Sequence, residues 1–302
     1  MARAFPFDWV EAFASVPFGG NPCAVFHGAD GIDVATRLKL VRETSLVECA
    51  FVVPSAVADF GARYYLPTRE IPMAGHPTVA TVVSLVSRGL VDLSAGPARF
   101  TLEVGAGVMP IEASRDADGT VHVAMEQAAP VFGAEQDPAE IAGIYGLSAA
   151  DILGTPRIVS TGTPFCVTLL RDRAALDRAR LDVARLEAWR AGQGAETGAA
   201  AIMEPFLAVL SGATAGGDTC ARLLLAPPAP PEDPFTGSAT GCLGAYLWHG
   251  GWIERPDFVA EQGHGLGRPG RAEVEALGPR EAPTGVRVAG PGVVLMRGEL
   301  LL

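Results

Sequence analysis

Two stretches decide how this chain folds: Glu70-Ile71-Pro72-Met73-Ala74-Gly75-His76-Pro77-Thr78 and Glu232-Asp233-Pro234-Phe235-Thr236-Gly237-Ser238-Ala239-Thr240. Both read Glu-x-Pro-x-x-Gly-x-x-Thr, and the offset of 162 that places Gly75 on Gly237 also places Gly89 on Gly251. Each motif opens an apolar run, Gly75 to Arg88 and Gly237 to Gly250, with small residues where a surface helix carries charges. Helices of that kind must be surrounded by protein. Upstream, Gly20-Asn21-Pro22-Cys23-Ala24-Val25 matches Gly162-Thr163-Pro164-Phe165-Cys166-Val167 at an offset of 142, each a turn entering a short apolar run. The same landmarks in the same order indicate a duplicated half.

Around the two helical runs lie short segments rich in Val, Ile, Leu, Phe and Tyr: 22–26, 47–53, 62–66, 99–104, 108–113, 120–125, 157–160, 165–170, 206–210, 221–225, 285–289 and 292–297. Gly, Pro and Asp clusters separate them, which suits antiparallel strands joined by turns. A polar helix is expected at 33–43, and 173–191 alternates charges like a solvated helical face. The expected class is therefore α+β, with two pseudo-repeated lobes, each a curved and mostly antiparallel sheet wrapped around one buried helix. The N-terminal lobe is assigned to 1–127 and the C-terminal lobe to 128–285, with a last strand at about 286–302 crossing back to the first.

Composition agrees with this division. A chain of 302 residues exceeds the size at which one core usually stops growing, and 49% hydrophobic against 19% charged residues suffices for a large core. The net charge of −11 has the wrong sign for nucleic acid or an anionic membrane surface. Pro6, Asp8, Glu11 and Pro17 interrupt the start, so no secretory signal is read there, and the longest apolar candidate for a span, 71–87, contains His76 and Pro77. Five cysteines without a C-x-x-C spacing read as reduced thiols, and a cytoplasmic location is expected.

Glu48 is the first candidate for chemistry. In Ser45-Leu46-Val47-Glu48-Cys49-Ala50-Phe51-Val52-Val53 a period of two places Glu48 with Ala50 and Val52, opposite Val47, Cys49, Phe51 and Val53. Both faces are apolar, and a carboxyl desolvated without a cation holds its proton toward neutral pH, as a group that takes and returns a proton requires. The bland alternative is a strand-end carboxylate in solvent. Both repeated motifs place a Gly and a polar residue where a buried helix begins, and free N–H groups there suit an anion. Ordinary capping by Thr78, Thr236 or Ser238 is the competing explanation for each start alone. Matching starts in two related lobes point instead to an interlobe cleft, with His76 on one side and Asp233 and Ser238 on the other. A Ser-His-Asp hydrolase is disfavoured, because Gly237-Ser238-Ala239-Thr240-Gly241 is not a nucleophile elbow. No P-loop, H-E-x-x-H or complete dinucleotide fingerprint occurs, and the histidines show no ligand spacing, so no metal site is read from the sequence.

Taken together, these residues resemble the PhzF, or phenazine-biosynthesis-like, isomerases, which share the diaminopimelate epimerase fold. The likeness runs through Glu11-Ala12-Phe13, Pro17-Phe18-Gly19-Gly20-Asn21-Pro22, Glu48-Cys49-Ala50-Phe51 and Pro67-Thr68-Arg69-Glu70-Ile71-Pro72-Met73-Ala74-Gly75-His76. It resumes at Ser160-Thr161-Gly162, Asp233-Pro234-Phe235-Thr236-Gly237-Ser238-Ala239, Glu261-Gln262-Gly263 and Gly267-Arg268-Pro269. It implies a cofactor-free proton-transfer enzyme, a homodimer, acting on a small carboxylate-bearing metabolite, with Glu48 as acid/base and His76 and Asp233 beside it. Gly75, Gly237, Ser238 and Ala239 would bind substrate. Val47 stands where such proteins usually have Ser, and Ala74 where Cys is often found. The positions that would hold the two opposed thiols of the related epimerases read Ala74 and Thr236, which disfavours two-thiol racemisation. Rival expectations are an amino-acid epimerase or racemase of the same fold and a non-catalytic small-molecule binder. Pro77 lacks an N–H, so the second helix start is expected to hold the substrate carboxylate more tightly than the first, and Asp233 is expected to point toward His76 or to hold a proton.

Overall fold

The computed structural model describes residues 3–193 and 202–302. The first strands are β1 (Ala4–Ala12), β2 (Asn21–Phe26), β3 (Cys49–Val53), β4 (Phe60–Tyr65), β5 (Glu70–Ile71), β6 (Ala98–Val104), β7 (Gly107–Arg115) and β8 (Val121–Gln127), with helices α1 (Val34–Thr44) and α2 (Gly75–Ser87) between them. Next come β9 (Val131–Glu135), α3 (Pro138–Ile144), β10 (Ile152–Ser160), β11 (Pro164–Leu170), α4 (Arg173–Arg178) and α5 (Val183–Gly192). The chain finishes with β12 (Phe206–Val209), β13 (Thr219–Leu224), β14 (Glu232–Asp233), α6 (Gly237–His249), β15 (Asp257–Gln262), β16 (Gly270–Leu277) and β17 (Gly285–Leu301).

Strand pairing repeats one pattern. β1 runs antiparallel to β2, β2 parallel to β3, β3 antiparallel to β4, β4 antiparallel to β5 and parallel to β6, and β6 and β7 pair antiparallel with the strands that follow them. The series β10, β11, β12, β13, β14, β15 and β16 repeats each of these relations in the same order. β17 joins the two: Gly285–Ala289 pair with β16, Val286–Gly292 with β8, and Gly292–Leu301 with β1. The segments 285–289 and 292–297 are thus one long strand.

Each series wraps one helix. Every residue of α2 from Gly75 to Val86 is buried, against β1, β2, β3, β8 and β17, and every residue of α6 from Gly237 to Leu247 is buried, against β10, β11, β16 and β17. Apolar runs without a polar face thus sit where water is excluded. The charged run 173–191 is two helices and not one: the chain is extended at Ala179, and Asp182 caps α5 by accepting from the Arg185 N–H at 3.1 Å. Leu176, Leu186 and Trp189 are buried there, so the face is less solvated than the charges suggest. Periodicity also missed β1, whose Asp8 is fully buried. That carboxylate accepts from Ser84, from Arg88 at 2.7 and 2.9 Å and from Arg297 at 2.8 Å, so a charged residue occupies a core position only because three donors from distant elements meet it.

Candidate active site

The starts of α2 and α6 meet. A Cβ on Gly75 would stand 2.4 Å from the Cα and carbonyl carbon of Gly237 and from the Ser238 nitrogen, so only glycine lets the two backbones approach this closely. Neither start has a side-chain cap. The Ala74 side chain has no polar atom, the Thr78 hydroxyl donates to the Ala74 carbonyl at 2.6 Å, and the Thr236 hydroxyl donates to Asp233 at 2.5 Å. Ordinary capping by Thr78 or Thr236 is thereby ruled out.

Glu48 immediately precedes β3 and does not lie within it. Ala50 packs in the core around α2, whereas Cys49 and Phe51 pack in the separate cluster under α1, but Val47, expected beside Cys49 and Phe51, packs with Ala50: the alternation holds only from Cys49 onward, within the strand, and breaks at Glu48. Glu48 is 8% exposed, and its Oε2 has no hydrogen-bond partner among the described residues. Burial pushes its pKa well above the usual carboxylate range, and the nearby Asp233 carboxyl pushes it further. His76 Nδ1 lies 3.7 Å from Glu48 Oε2, which is too far for a hydrogen bond but is direct contact between the two groups. Burial lowers the His76 pKa to about 3, so at neutral pH the imidazole is uncharged.

Asn21 organises these groups, and sequence reasoning quoted it only as part of a turn. Its Nδ2 lies 2.6 Å from Asp233 Oδ1, 2.8 Å from the Phe235 carbonyl and 2.9 Å from His76 Nδ1. The Phe235 carbonyl can only accept, which fixes the amide orientation; the two hydrogens of that NH2 group are shared among three neighbours, and because its nitrogen has no lone pair to accept with, His76 Nδ1 cannot be the donor and the imidazole proton sits on Nε2. That Nε2 is buried without a partner among the described residues, as is Asn21 Oδ1. Asp233 reaches His76 only through Asn21, which modifies the expected direct approach. Burial raises the Asp233 pKa to about 6 against the lowering effect of its bonds from Thr236 and Asn21.

Other residues of the quoted motifs hold this arrangement. Gly20 has φ of 52°, and a Cβ there would lie 2.1 Å from the Ala12 carbonyl oxygen, so glycine is required for the turn that presents Asn21. Arg268 donates to the Gly20 and Gly19 carbonyls at 3.0 and 3.1 Å and to the Glu11 carboxylate. Gln262 clamps the turn before α6, donating to the Asp233 carbonyl at 2.7 Å and accepting from the Thr236 N–H at 3.0 Å. A mirrored bond completes the join: Thr163, the counterpart of Asn21, donates to the Met73 carbonyl at 2.7 Å, as Asn21 does to its counterpart, Phe235.

The structure therefore brings Glu48, His76, Asp233, Gly75, Gly237 and Ser238 to one place, with the Ala239 amide in the first turn of α6. The five cysteines are buried and free, and burial pushes their thiols up, to about 12 for Cys49 and Cys166 and about 11 for Cys242. None occupies a helix start. Among the described residues, no three His, Cys, Asp or Glu side chains are grouped to hold a metal ion, and no helix is long and apolar enough to cross a membrane.

With this geometry in place, comparison with known proteins is informative. The family model described as "Phenazine biosynthesis-like protein" matches residues 10–298. The trans-2,3-dihydro-3-hydroxyanthranilate isomerase of Pseudomonas fluorescens is 30% identical over 304 aligned positions, covering 97% of this chain and 98% of the relative. Among solved structures, a phenazine biosynthesis protein of the PhzF family from Bacillus anthracis superposes with a TM-score of 0.82 at 25% identity, covering 99% of this chain and all of the other. A hydroxyproline epimerase from Agrobacterium vitis superposes with a TM-score of 0.68 over 99% of this chain and 93% of its own; at 13% identity that likeness concerns the fold alone.

Proposed function

The chain belongs to the phenazine biosynthesis-like (PhzC-PhzF) family, and from that premise we propose that it is a cofactor-independent isomerase that moves a proton within a small carboxylate-bearing substrate. The isomerase class is supported by the names of its relatives. The observation that carries the reading is the convergence of three buried polar atoms without a partner among the described residues, Glu48 Oε2, His76 Nε2 and Asn21 Oδ1, beside two touching and uncapped helix starts. Buried polar atoms without partners are costly, and a bound substrate would supply what they lack.

Ionised Glu48 takes a proton from a carbon adjacent to an unsaturated or carbonyl carbon. The C–H electron pair enters the conjugated system, and the resulting Glu48 carboxyl returns the proton to another carbon, so substrate and product are isomers and nothing is oxidised. Burial makes the carboxylate a stronger base than an exposed one and its conjugate acid able to give the proton back near neutral pH. His76 donates from Nε2 to a polar substituent, and Asp233 holds Asn21 and through it the imidazole tautomer. The amides of Gly237, Ser238 and Ala239, with the Ser238 hydroxyl, bind the substrate carboxylate; the first start, with Gly75 and the N–H-less Pro77, contributes less. The twice-occurring strand order supports two lobes, 1–127 and 128–285, with β17 shared between them. By family resemblance the protein acts as a homodimer.

NMR in heavy water tests this, with trans-2,3-dihydro-3-hydroxyanthranilate and a panel of cyclic and amino-acid carboxylates as probes. Deuterium incorporation with a displaced double bond supports isomerisation. Inversion of a centre without bond migration marks an epimerase, and a probe that stabilises the protein but acquires no label marks a binder.

A further inference from the structure

The duplicated halves contain a second glutamate at the position of Glu48. Val25 pairs with Ala50 across β2 and β3, and Val167 with Phe206 across β11 and β12. Since Val25 and Val167 correspond, so do Ala50 and Phe206, and two residues earlier so do Glu48 and Glu204. The next strands confirm the alignment: Tyr64 opposes Ile71, and Leu223 opposes Asp233, which makes Pro67 the counterpart of Ala226. Leu66 and Leu225, which precede them, each donate a backbone N–H back across the hairpin, to Arg69 and to Pro231.

The two glutamates are both buried, yet differently served. Glu204 accepts from the Ala226 N–H at 3.3 Å and pairs with Arg190 at 3.0 Å. Glu48 has no hydrogen-bond donor among the described residues, and the residue standing where Ala226 donates is a buried proline. The titratable groups around Glu48 are His76 on α2, Asp233 on β14, Tyr64 on β4, Cys23 on β2 and the adjoining Cys49; none of them is a fixed cation. We propose that Pro67 is a positioning residue: by withholding the backbone N–H that Ala226 gives to Glu204, it leaves the Glu48 carboxyl free to carry a proton, while the Glu204 carboxylate is tied down as a structural anion. This rests on Glu48 being the proton carrier, but it can be tested without turnover.

The experiment follows the carboxyl carbons of 13C-glutamate-labelled protein through a pH titration, with Glu48→Gln and Glu204→Gln assigning the two resonances. Pro67→Ala restores a donor to the ionised form of Glu48 and shifts its titration down by about one to two pH units, because one hydrogen bond to a charged group is worth that much. The acid limb of the exchange profile moves with it. Ala226→Pro removes the donor from Glu204 and shifts that titration up. A Glu48 titration unmoved in folded Pro67→Ala overturns the proposal. Should that variant fail to fold, an unmoved Glu204 in Ala226→Pro overturns it equally. Absence of turnover with every probe would instead count against the isomerase reading and leave these titrations interpretable.

Discussion

Replacing Gly75 by alanine pits two physical effects against each other. Gly75 is the first residue of α2 and its φ is not in the left-handed region, so helix propensity alone predicts stabilisation of up to about 1 kcal/mol. The new methyl, however, would lie 2.4 Å from three backbone atoms of Gly237 and Ser238, about 1 Å inside ordinary van der Waals contact. Backbone cannot rotate away as a side-chain tip can, so the two helix starts must separate. Overpacking of this kind costs roughly 1–3 kcal/mol, which outweighs the propensity gain and lowers Tm by about 2–10 °C. A displacement of about 1 Å at the reacting groups also costs on the order of 10²-fold in rate. Calorimetry of Gly75→Ala beside Gly265→Ala, whose methyl meets open space, measures the first effect, and solvent deuterium exchange measures the second. A Gly75→Ala protein that melts at or above the wild-type temperature and exchanges at the wild-type rate would refute the contact between helix starts on which the site depends.

Three further variants test the site. Glu48→Gln lowers turnover by on the order of 10²–10⁴-fold. Because the folded state raises the Glu48 pKa, wild-type stability from this group is complete below the unfolded value and declines as pH rises; the glutamine variant should gain on wild type toward alkaline pH in urea titrations, and a constant difference would contradict the burial argument. Asp233, raised from 3.8 to about 6, follows the same sign, so between pH 3 and 7 wild type should lose ~3 kcal/mol more than Asp233→Asn, and parallel pH profiles would show that the carboxyl is not desolvated in solution. Replacing all five cysteines with alanine retains deuterium exchange at a cost in stability, since all are buried; rapid inactivation of native protein by iodoacetamide, blocked by a substrate, would reinstate a thiol mechanism.

Local sequence determined the two buried helices and their glycine starts and marked Glu48 as a carboxyl among apolar residues, because runs without a polar side are properties of neighbouring residues; alternation did not fix its face, since the strand begins only at Cys49. The repeated motif also placed His76 and Asp233 at those starts. The tertiary structure decided what they touch. Asn21 bonds Asp233 and Phe235, more than two hundred residues away, and no periodicity encodes such a contact. The same holds for β1, whose buried Asp8 looks wrong for a core strand until Arg88, just past the end of α2, and Arg297 of β17 reach it. Glu204 stayed hidden as the partner of Glu48 because the loops between matching elements differ in length: the helices align at an offset of 162, the turns before β2 and β11 at 142, and the glutamates at neither. Correspondence between the halves is kept by strand register, which chain folding sets through hydrogen bonds across the sheet, and not by a constant spacing along the sequence.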